Sequence, residues 1–310
     1  MTATAPPIIE THGLTKHFGP RTAVRDLSLT VPAGCAFGFL GHNGAGKTTV
    51  IRMLVSLTQP SAGTIRIAGQ PLAGQRAQVL AQVGAIVEEP HFHPHLTGRE
   101  NLRVVAAARG PRARPRIEPA LERAGLRDRG DDRVSTYSQG MRQRLGIARC
   151  LLADPKLVIL DEPMNGLDPA GILELRELIA GLVAEGRTVF VSSHLLDEVE
   201  KTCHAVAVID RGRLIAQGSI SELIGDTQAR YELTCDHPRA ALGILAAHPA
   251  VVQVSQAPSG LRVTLADPRA AGAVTAALIQ AGISVSGFAP VRTSLADRFL
   301  GLTSRVGGNA

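Results

Sequence analysis

The 310-residue sequence predicts an α/β sheet domain carrying a phosphate-binding loop, followed by a small α+β domain. Three observations predict it. From Ile8 to about Leu223, short apolar runs alternate with longer runs of helical periodicity, as strands and their crossover helices do. GHNGAGKTT, residues 41–49, sits where an apolar run gives way to a helical one. After ELIGD, residues 222–226, the pattern becomes β-α-β-β-α-β, the order of a split-βαβ, ferredoxin-like domain of about 80 residues. The expected division is therefore 1–224 and 225–310.

In chain order, Leu27, Leu29 and Val31 alternate with polar residues, as on a half-buried strand. CAFGFLG (35–41) is an apolar strand leading into the glycine-rich loop, and TTVIRMLVSL (48–57) is the helix after it, closed by QPSAG. RGPRARPRIEP (109–119), with three prolines, reads as a loop between helices. YSQGMRQRLGIARCLLADP (137–155) places Ser138 and Gly140 at a helix start, with Met141, Leu145, Ala148 and Leu152 on one buried face. LVILDEP (157–163) and TVFVSSH (188–194) are strands flanking a helix at about 171–185. ARYELTC, HPRAALGILAAH, AVVQVSQ, GLRVTLA, a helix near 268–281 and ISVSGFA build the small domain, and SLADRFLGL reads as a terminal helix.

Apolar residues make up 45% of the chain, enough for two real cores. Aromatics are only 3%, with no Trp, which argues against stacking platforms for single-stranded nucleic acid. The net charge of +6 suits nucleic acid, an anionic membrane surface or an acidic nucleotide ligand. Cys35, Cys150, Cys203 and Cys235 form no CxxC pair and read as buried thiols of a reducing compartment. MTATAPPIIE lacks a signal-peptide pattern, and no run approaches the ~18 apolar residues of a membrane span.

The chemistry begins with the loop. Its glycines let backbone N–H groups face phosphate oxygens at a helix N-terminus. Gly41, Asn43, Gly44, Gly46, Lys47, Thr48 and Thr49 are the residues expected against a nucleotide, with Lys47 neutralising phosphates and the Thr48 hydroxyl on Mg²⁺. Asp161 and Glu162, at the end of a buried strand, are suited to holding the metal and to polarising an attacking water. Ser138, Gly140 and their helix start make a second anion site, which one chain needs only if that site faces another subunit. His91, His93 and His95 alternate in PHFHPH, but the prolines and missing acidic or Cys partners favour a loop over a metal cluster. The arginines between Arg103 and Arg133 read as the basic face of a helical subdomain near an anionic leaflet rather than a nucleic-acid site.

With these motifs, residues 8 to 223 resemble the ATP-binding subunit of an ABC transporter. The resemblance implies a P-loop NTPase cassette of sheet core plus helical subdomain, the latter at about 89–153. The family's signature is usually LSGGQ; YSQGM keeps Ser138 and Gly140. It implies a D-loop at NGLDP with Asp168, a switch histidine at His194, and Phe18 against the adenine. The implied catalytic set is Glu162, His194, Lys47 and Glu88, and the implied metal set Thr48, Asp161 and Glu88. Glu88 departs from the family's usual Gln, adding negative charge near the phosphates; slower or more partner-dependent hydrolysis is expected.

That Glu is similar to the pattern of bacitracin-resistance and lantibiotic-immunity exporters, with daunorubicin-type and sodium-exporter ATPases as alternatives. The resemblance further implies ATP and Mg²⁺ as cofactors, an ATP-sandwiched homodimer, a separate transmembrane permease as partner, and a peripheral position on the cytoplasmic membrane face. No nucleic acid is expected. A non-transport ABC ATPase acting on ribosomes or DNA is the alternative. Ribosome-acting members resemble two joined cassettes, and DNA-repair members carry a long coiled coil, whereas no heptads run between Gln82 and Ser138. A P-loop kinase or GTPase explains neither YSQGM nor the Glu162/His194 pair.

Overall fold

The computed structural model describes residues 6–224, 229–257, 260–291, 294–296 and 298. Strands β1 (Pro7–Phe18) and β2 (Arg21–Leu27) form an antiparallel hairpin, and β3 (Thr30–Pro32) pairs with β1. Leu27, Leu29 and Val31 are all fully buried, but Leu27 ends β2, Val31 lies in β3, and Leu29 falls between the two strands. Thr11 exchanges backbone hydrogen bonds with Leu29, and its hydroxyl also donates to Leu27 O and accepts from Leu29 N, both at 2.9 Å, where the pairing passes from β2 to β3.

Strand β4 (Ala36–Leu40) is buried throughout and leads into the glycine loop. Phe37 and Phe39 stack and tilt against Phe190, with ring centroids 5.9 and 5.4 Å away. Helix α1 (Lys47–Leu54) drives Val50, Ile51, Met53 and Leu54 into the core. β5 (Ala62–Ile67) returns beside β1, and β6 (Gln70–Pro71), α2 (Arg76–Leu80) and β7 (Val83–Ile86) follow.

The helical insertion opens at α3 (Gly98–Arg109), whose start is set by a capping box between Thr97 and Glu100. The expected loop at 109–119 is shorter than the prolines suggest. Arg114–Arg116 forms a 3₁₀ turn and α4 (Ile117–Arg123) begins inside the stretch. Pro119 is tolerated there because the first turn of a helix needs no amide donor. Several arginines of this region are spent on acids: Arg99 pairs with Glu118 and Asp131, Arg116 with Asp154, Arg123 with Glu185. The basic face is thus narrower than the sequence implies, and Arg103, Arg109, Arg112 and Arg114 remain exposed. Helix α5 (Gln139–Leu151) buries more than the expected stripe: Ile147, Cys150 and Leu151 join Leu145, Ala148 and Leu152, while Met141 stays half-exposed.

Then come β8 (Leu157–Asp161), α6 (Pro169–Ala184), β9 (Thr188–Ser193), α7 (Leu196–Thr202), β10 (Ala205–Asp210), β11 (Arg213–Ser219) and the short α8 (Ile220–Ile224). The central sheet runs β11-β10-β4-β9-β8-β7, parallel except for β11. A second, antiparallel sheet runs β2-β1-β5-β6. The order β4-β9-β8 positions the site: the carboxyl ends of three parallel strands lie side by side, where α/β sheets open a crevice for ligands.

The chain parts between Leu223 and Ile224 into two compact units. The smaller contains β12 (Ala229–Cys235), α9 (Pro238–Ala247), β13 (Val251–Ala257), β14 (Gly260–Leu265), α10 (Ala271–Gln280) and β15 (Val285–Pro290). Its sheet is antiparallel in the order β13-β14-β12-β15, the split-βαβ arrangement. Leu233, Leu261, Val263 and Leu265 of the sheet pack with Leu245, Val274 and Leu278 of the helices. Of the expected terminal helix, Leu295, Ala296 and Arg298 are helical; the rest of SLADRFLGL beyond Ser294 lies outside the described residues.

All four cysteines are free thiols, but only Cys150 and Cys203 are buried; Cys35 and Cys235 are half-buried. Burial pushes Cys150 up to about 11 and Cys203 up to about 12. Thiolate is the reactive form. A thiol-reactive chromogen at pH 8 is therefore expected to label Cys35 and Cys235 well before Cys150 and Cys203, which should react only after unfolding; rapid labelling of all four in the native protein would contradict this packing.

Candidate functional site

The site is built on the loop after β4. Gly44 (φ 81°) and Gly46 (φ 110°) occupy left-handed backbone that L side chains avoid. Gly46 is required twice over, since a Cβ there would lie 2.7 Å from the Ala23 carbonyl oxygen. α1 then starts at Lys47 with no side-chain cap, which leaves its first amides to face an anion. The loop is pinned from behind, Gly212 N donating to Ala45 O at 2.8 Å. Gly46→Ala is expected to displace the loop from Ala23 and weaken nucleotide binding at least tenfold, measurable by titration with a fluorescent ATP analogue.

A cavity of about 200 Å³ lies over this loop, lined by Asn43, Gly44, Gly46, Lys47, Thr48, Thr49 and Glu162 together with Arg21, Ala23 and His42. The expected loop residues are thus brought together, and Gly41 takes part through its carbonyl. Arg21 and Ala23 enter from the neighbouring hairpin and carry no motif that a sequence reading could find. A larger hollow of about 540 Å³, walled by Met53, Pro60, Ile65 and Leu72, holds none of the groups singled out for chemistry.

Lys47 is 5% exposed, and its ammonium is fully engaged. It donates to Gly41 O at 2.6 Å and His42 O at 3.3 Å and pairs with Glu162 Oε1 at 3.0 Å. The other carboxylate oxygen of Glu162, Oε2, lies 2.9 Å from His194 Nδ1 and accepts from His194 N at 3.3 Å. Lys47, Glu162 and His194 thereby form one chain of polar contacts across the ends of β4, β8 and β9. Glu162 itself has φ 49°, a strained backbone for a non-glycine residue, of the kind that functional sites retain.

Ser192, completely buried, is the functional residue that sequence reasoning missed. Its hydroxyl donates to Asp161 Oδ1 at 2.5 Å and accepts from Glu162 N at 2.9 Å, so one side chain orients both acids. The only signal was a hydroxyl two residues before His194, and the partner that gives it meaning lies 31 residues away. Ser192→Ala leaves the buried Asp161 carboxylate without this donor and is expected to lower stability by about 1–3 kcal/mol. Thermal unfolding reads this loss, and ATP turnover should drop with it; an unchanged melting temperature would contradict the assignment.

The remaining predicted residues are placed as follows. Ser138 caps α5 through Met141 N at 3.2 Å and stands at the surface beside Gly140. Gln139, between them, donates to Asn165 O at 3.0 Å, which ties the signature turn to the segment before α6. Asp168 caps α6 through Gly171 N at 3.0 Å. The Phe18 ring is exposed with the Lys16 ammonium 5.0 Å from its centroid. Glu88 accepts from Arg52 at 2.6 Å and is not among the residues lining the loop cavity. His93 and His95 lie with ring centroids 5.9 Å apart, and His93 is fixed through its backbone by Asn101. Among the described residues, no group of three His, Cys, Asp or Glu side chains could hold a metal.

A phosphate-cradling loop, an acid pair of which Asp161 is buried and Glu162 half-buried, and a histidine, converging at the ends of three parallel strands, define a nucleotide-hydrolysing cassette. The family model described as ABC transporter matches residues 24–165. An uncharacterized ABC transporter ATP-binding protein of Bacillus subtilis (strain 168), YhcH, is 40% identical over 297 residues, 96% of each chain. The chain belongs to the ABC transporter family, as an ATP-binding subunit and ATPase. Two further relatives are named for antibiotic transport or drug resistance. The bacitracin transport ATP-binding protein BcrA of Bacillus licheniformis is 46% identical over 68% of this chain and 69% of its own. The daunorubicin/doxorubicin resistance ATP-binding protein DrrA of Streptomyces peucetius is 37% identical over 95% of this chain and 92% of its own.

Among solved structures, an ATP-binding subunit of an ABC transporter is similar with 31% identity and a TM-score of 0.62, over 70% of this chain and 91% of that one. The cbiO1 protein of Clostridium perfringens, part of the cbiONQ complex, has 27% identity and a TM-score of 0.66 over 71% and 92%.

Proposed function

We propose that this chain is the motor of an exporter, acting as a pair of copies that drive a separate membrane permease to expel a drug, antibiotic or peptide. The observation that carries the motor is the Lys47–Glu162–His194 chain beside the loop cavity. In this reading, each ATP lies between the loop of one copy and Ser138 and Gly140 of the other, which stand exposed or half-exposed. Binding transfers Lys47 from Glu162 to the phosphates. Glu162, freed, takes the proton of an attacking water, with His194 and Ser192 holding its orientation.

Mg²⁺ would be held by Thr48 and Asp161, with Glu88 joining them on leaving Arg52. The donor set fits: a hydroxyl and carboxylates are hard oxygen ligands, and Mg²⁺ at nucleotide sites takes one or two protein groups besides phosphates. The metal supplies charge neutralisation at the phosphates. Among the described residues, no helix is long and apolar enough to cross a membrane. The separate permease and the docking of the motor on the cytoplasmic membrane face rest on the likeness to ATP-binding subunits of transporters. Export and the class of cargo rest on the names of the relatives.

The experiment is a trap. Tagged Glu162→Gln, loaded with ATP, is isolated from gently solubilised membranes of its host. A co-purifying polytopic protein supports the exporter reading and identifies the permease. Recovery of ribosomes or DNA with no membrane partner would overturn it.

A further inference from the structure

Arg52 and Glu88, 36 residues apart, form an ion pair with an Nη2–Oε1 distance of 2.6 Å. Two features of this pair bear on the site. Glu88 lies in left-handed backbone, φ 62°, as does Asp154 of the Arg116 pair, a conformation an L residue adopts when its surroundings hold it there. Arg52 stands four residues after Thr48 on α1, so the two project from one face of the helix, about 6 Å apart along its axis. Thr48 carries the hydroxyl that a loop of this sequence turns to the metal of a bound nucleotide. The guanidinium therefore tethers a carboxylate one helical turn from the place a divalent cation would occupy.

We infer that Arg52 is a positioning residue for Glu88, holding its carboxylate off the phosphate-bearing end of α1 until metal and nucleotide compete for it. This rests on the motor reading above. A bare carboxylate near the phosphates repels them, whereas one paired with a guanidinium presents little net charge. Both side chains are substantially exposed, 46% for Arg52 and 64% for Glu88. Exposed pairs are weak, so Glu88 can exchange partners at little cost. Once released, it offers the oxygen ligands that Mg²⁺ accepts.

The test uses the full chain, a non-hydrolysable ATP analogue and Mn²⁺, with metal binding followed by electron paramagnetic resonance. The unaltered protein is compared with R52A, R52K, E88Q and the R52A/E88Q double variant. R52A should bind Mn²⁺ in the presence of the analogue about two- to five-fold more tightly, and bind the analogue without metal more weakly by a similar factor. Both shifts should vanish when Glu88 is Gln, and R52K should behave like the unaltered protein. Equal Mn²⁺ affinity with and without Arg52, or the same R52A shift in both backgrounds, would overturn the inference. If the unaltered chain fails to bind the analogue, the motor reading falls with it; normal binding with no Arg52 effect removes the inference alone.

Discussion

Glu162→Gln is expected to reduce ATP turnover by about 10²–10⁴-fold, the range for losing a general base, while ATP still binds. The geometry explains why the two effects separate. The amide keeps the shape of the side chain and can still accept from His194, whose Nδ1 lies 2.9 Å from Glu162 Oε2. What disappears is the negative charge that takes a proton from water. The same change removes an ion pair from Lys47, which sits 3.0 Å from Oε1. A Lys47 released from Glu162 is free to meet phosphate, so affinity for ATP should stay equal or rise. Single-turnover hydrolysis and equilibrium ATP binding, measured side by side, check both halves. Undiminished turnover would remove Glu162 from the chemistry.

Lys47→Ala should act on the other half of the cycle, weakening ATP binding by roughly 10- to 100-fold, the worth of a hydrogen bond to a charged group. Lys47 is almost fully buried, and its three contacts point the ammonium along the loop towards the cavity. Its removal also strips Glu162 of a charge partner, so Lys47→Ala and Glu162→Gln each lose the same ion pair. The double variant therefore tests the coupling: the Lys47→Ala stability loss should be smaller when Glu162 is already Gln. Calorimetric titration with ATP and thermal unfolding of the set measure both effects. Additive stability losses would mean that the 3.0 Å contact contributes nothing.

Much of the site was legible because its parts are short and contiguous. Gly41 to Thr49 obey a chain-local rule: glycines where the backbone must turn left-handed, a lysine and a threonine where the helix starts. Asp161 and Glu162 were readable as two acids ending an apolar run, and Ser138 as a cap before a periodic helix. The small domain was legible from the order of its elements, which permits few antiparallel arrangements once two helices must cover one face. Local reading erred where one residue from elsewhere intervened. The pairing changes from β2 to β3 at Leu29, where the Thr11 hydroxyl bonds both sides of the junction, and acidic neighbours on other elements pair with arginines counted as a basic face.

By itself, then, the sequence determined that a nucleotide loop, an acid pair, a signature turn and a histidine were present, because each depends on neighbours in the chain. It also determined that Glu88 brings a negative charge into that set. Only the tertiary structure decided who meets whom. Strand order β4-β9-β8 places Lys47, Glu162 and His194 in contact, puts Ser192 between the two acids, and hands Glu88 to Arg52. The physical reason is range: backbone conformation and helix caps are set within a few residues. Ion pairs and hydrogen bonds between residues 30 or more apart depend on which strands lie side by side, and that follows from burying the apolar faces of the whole domain.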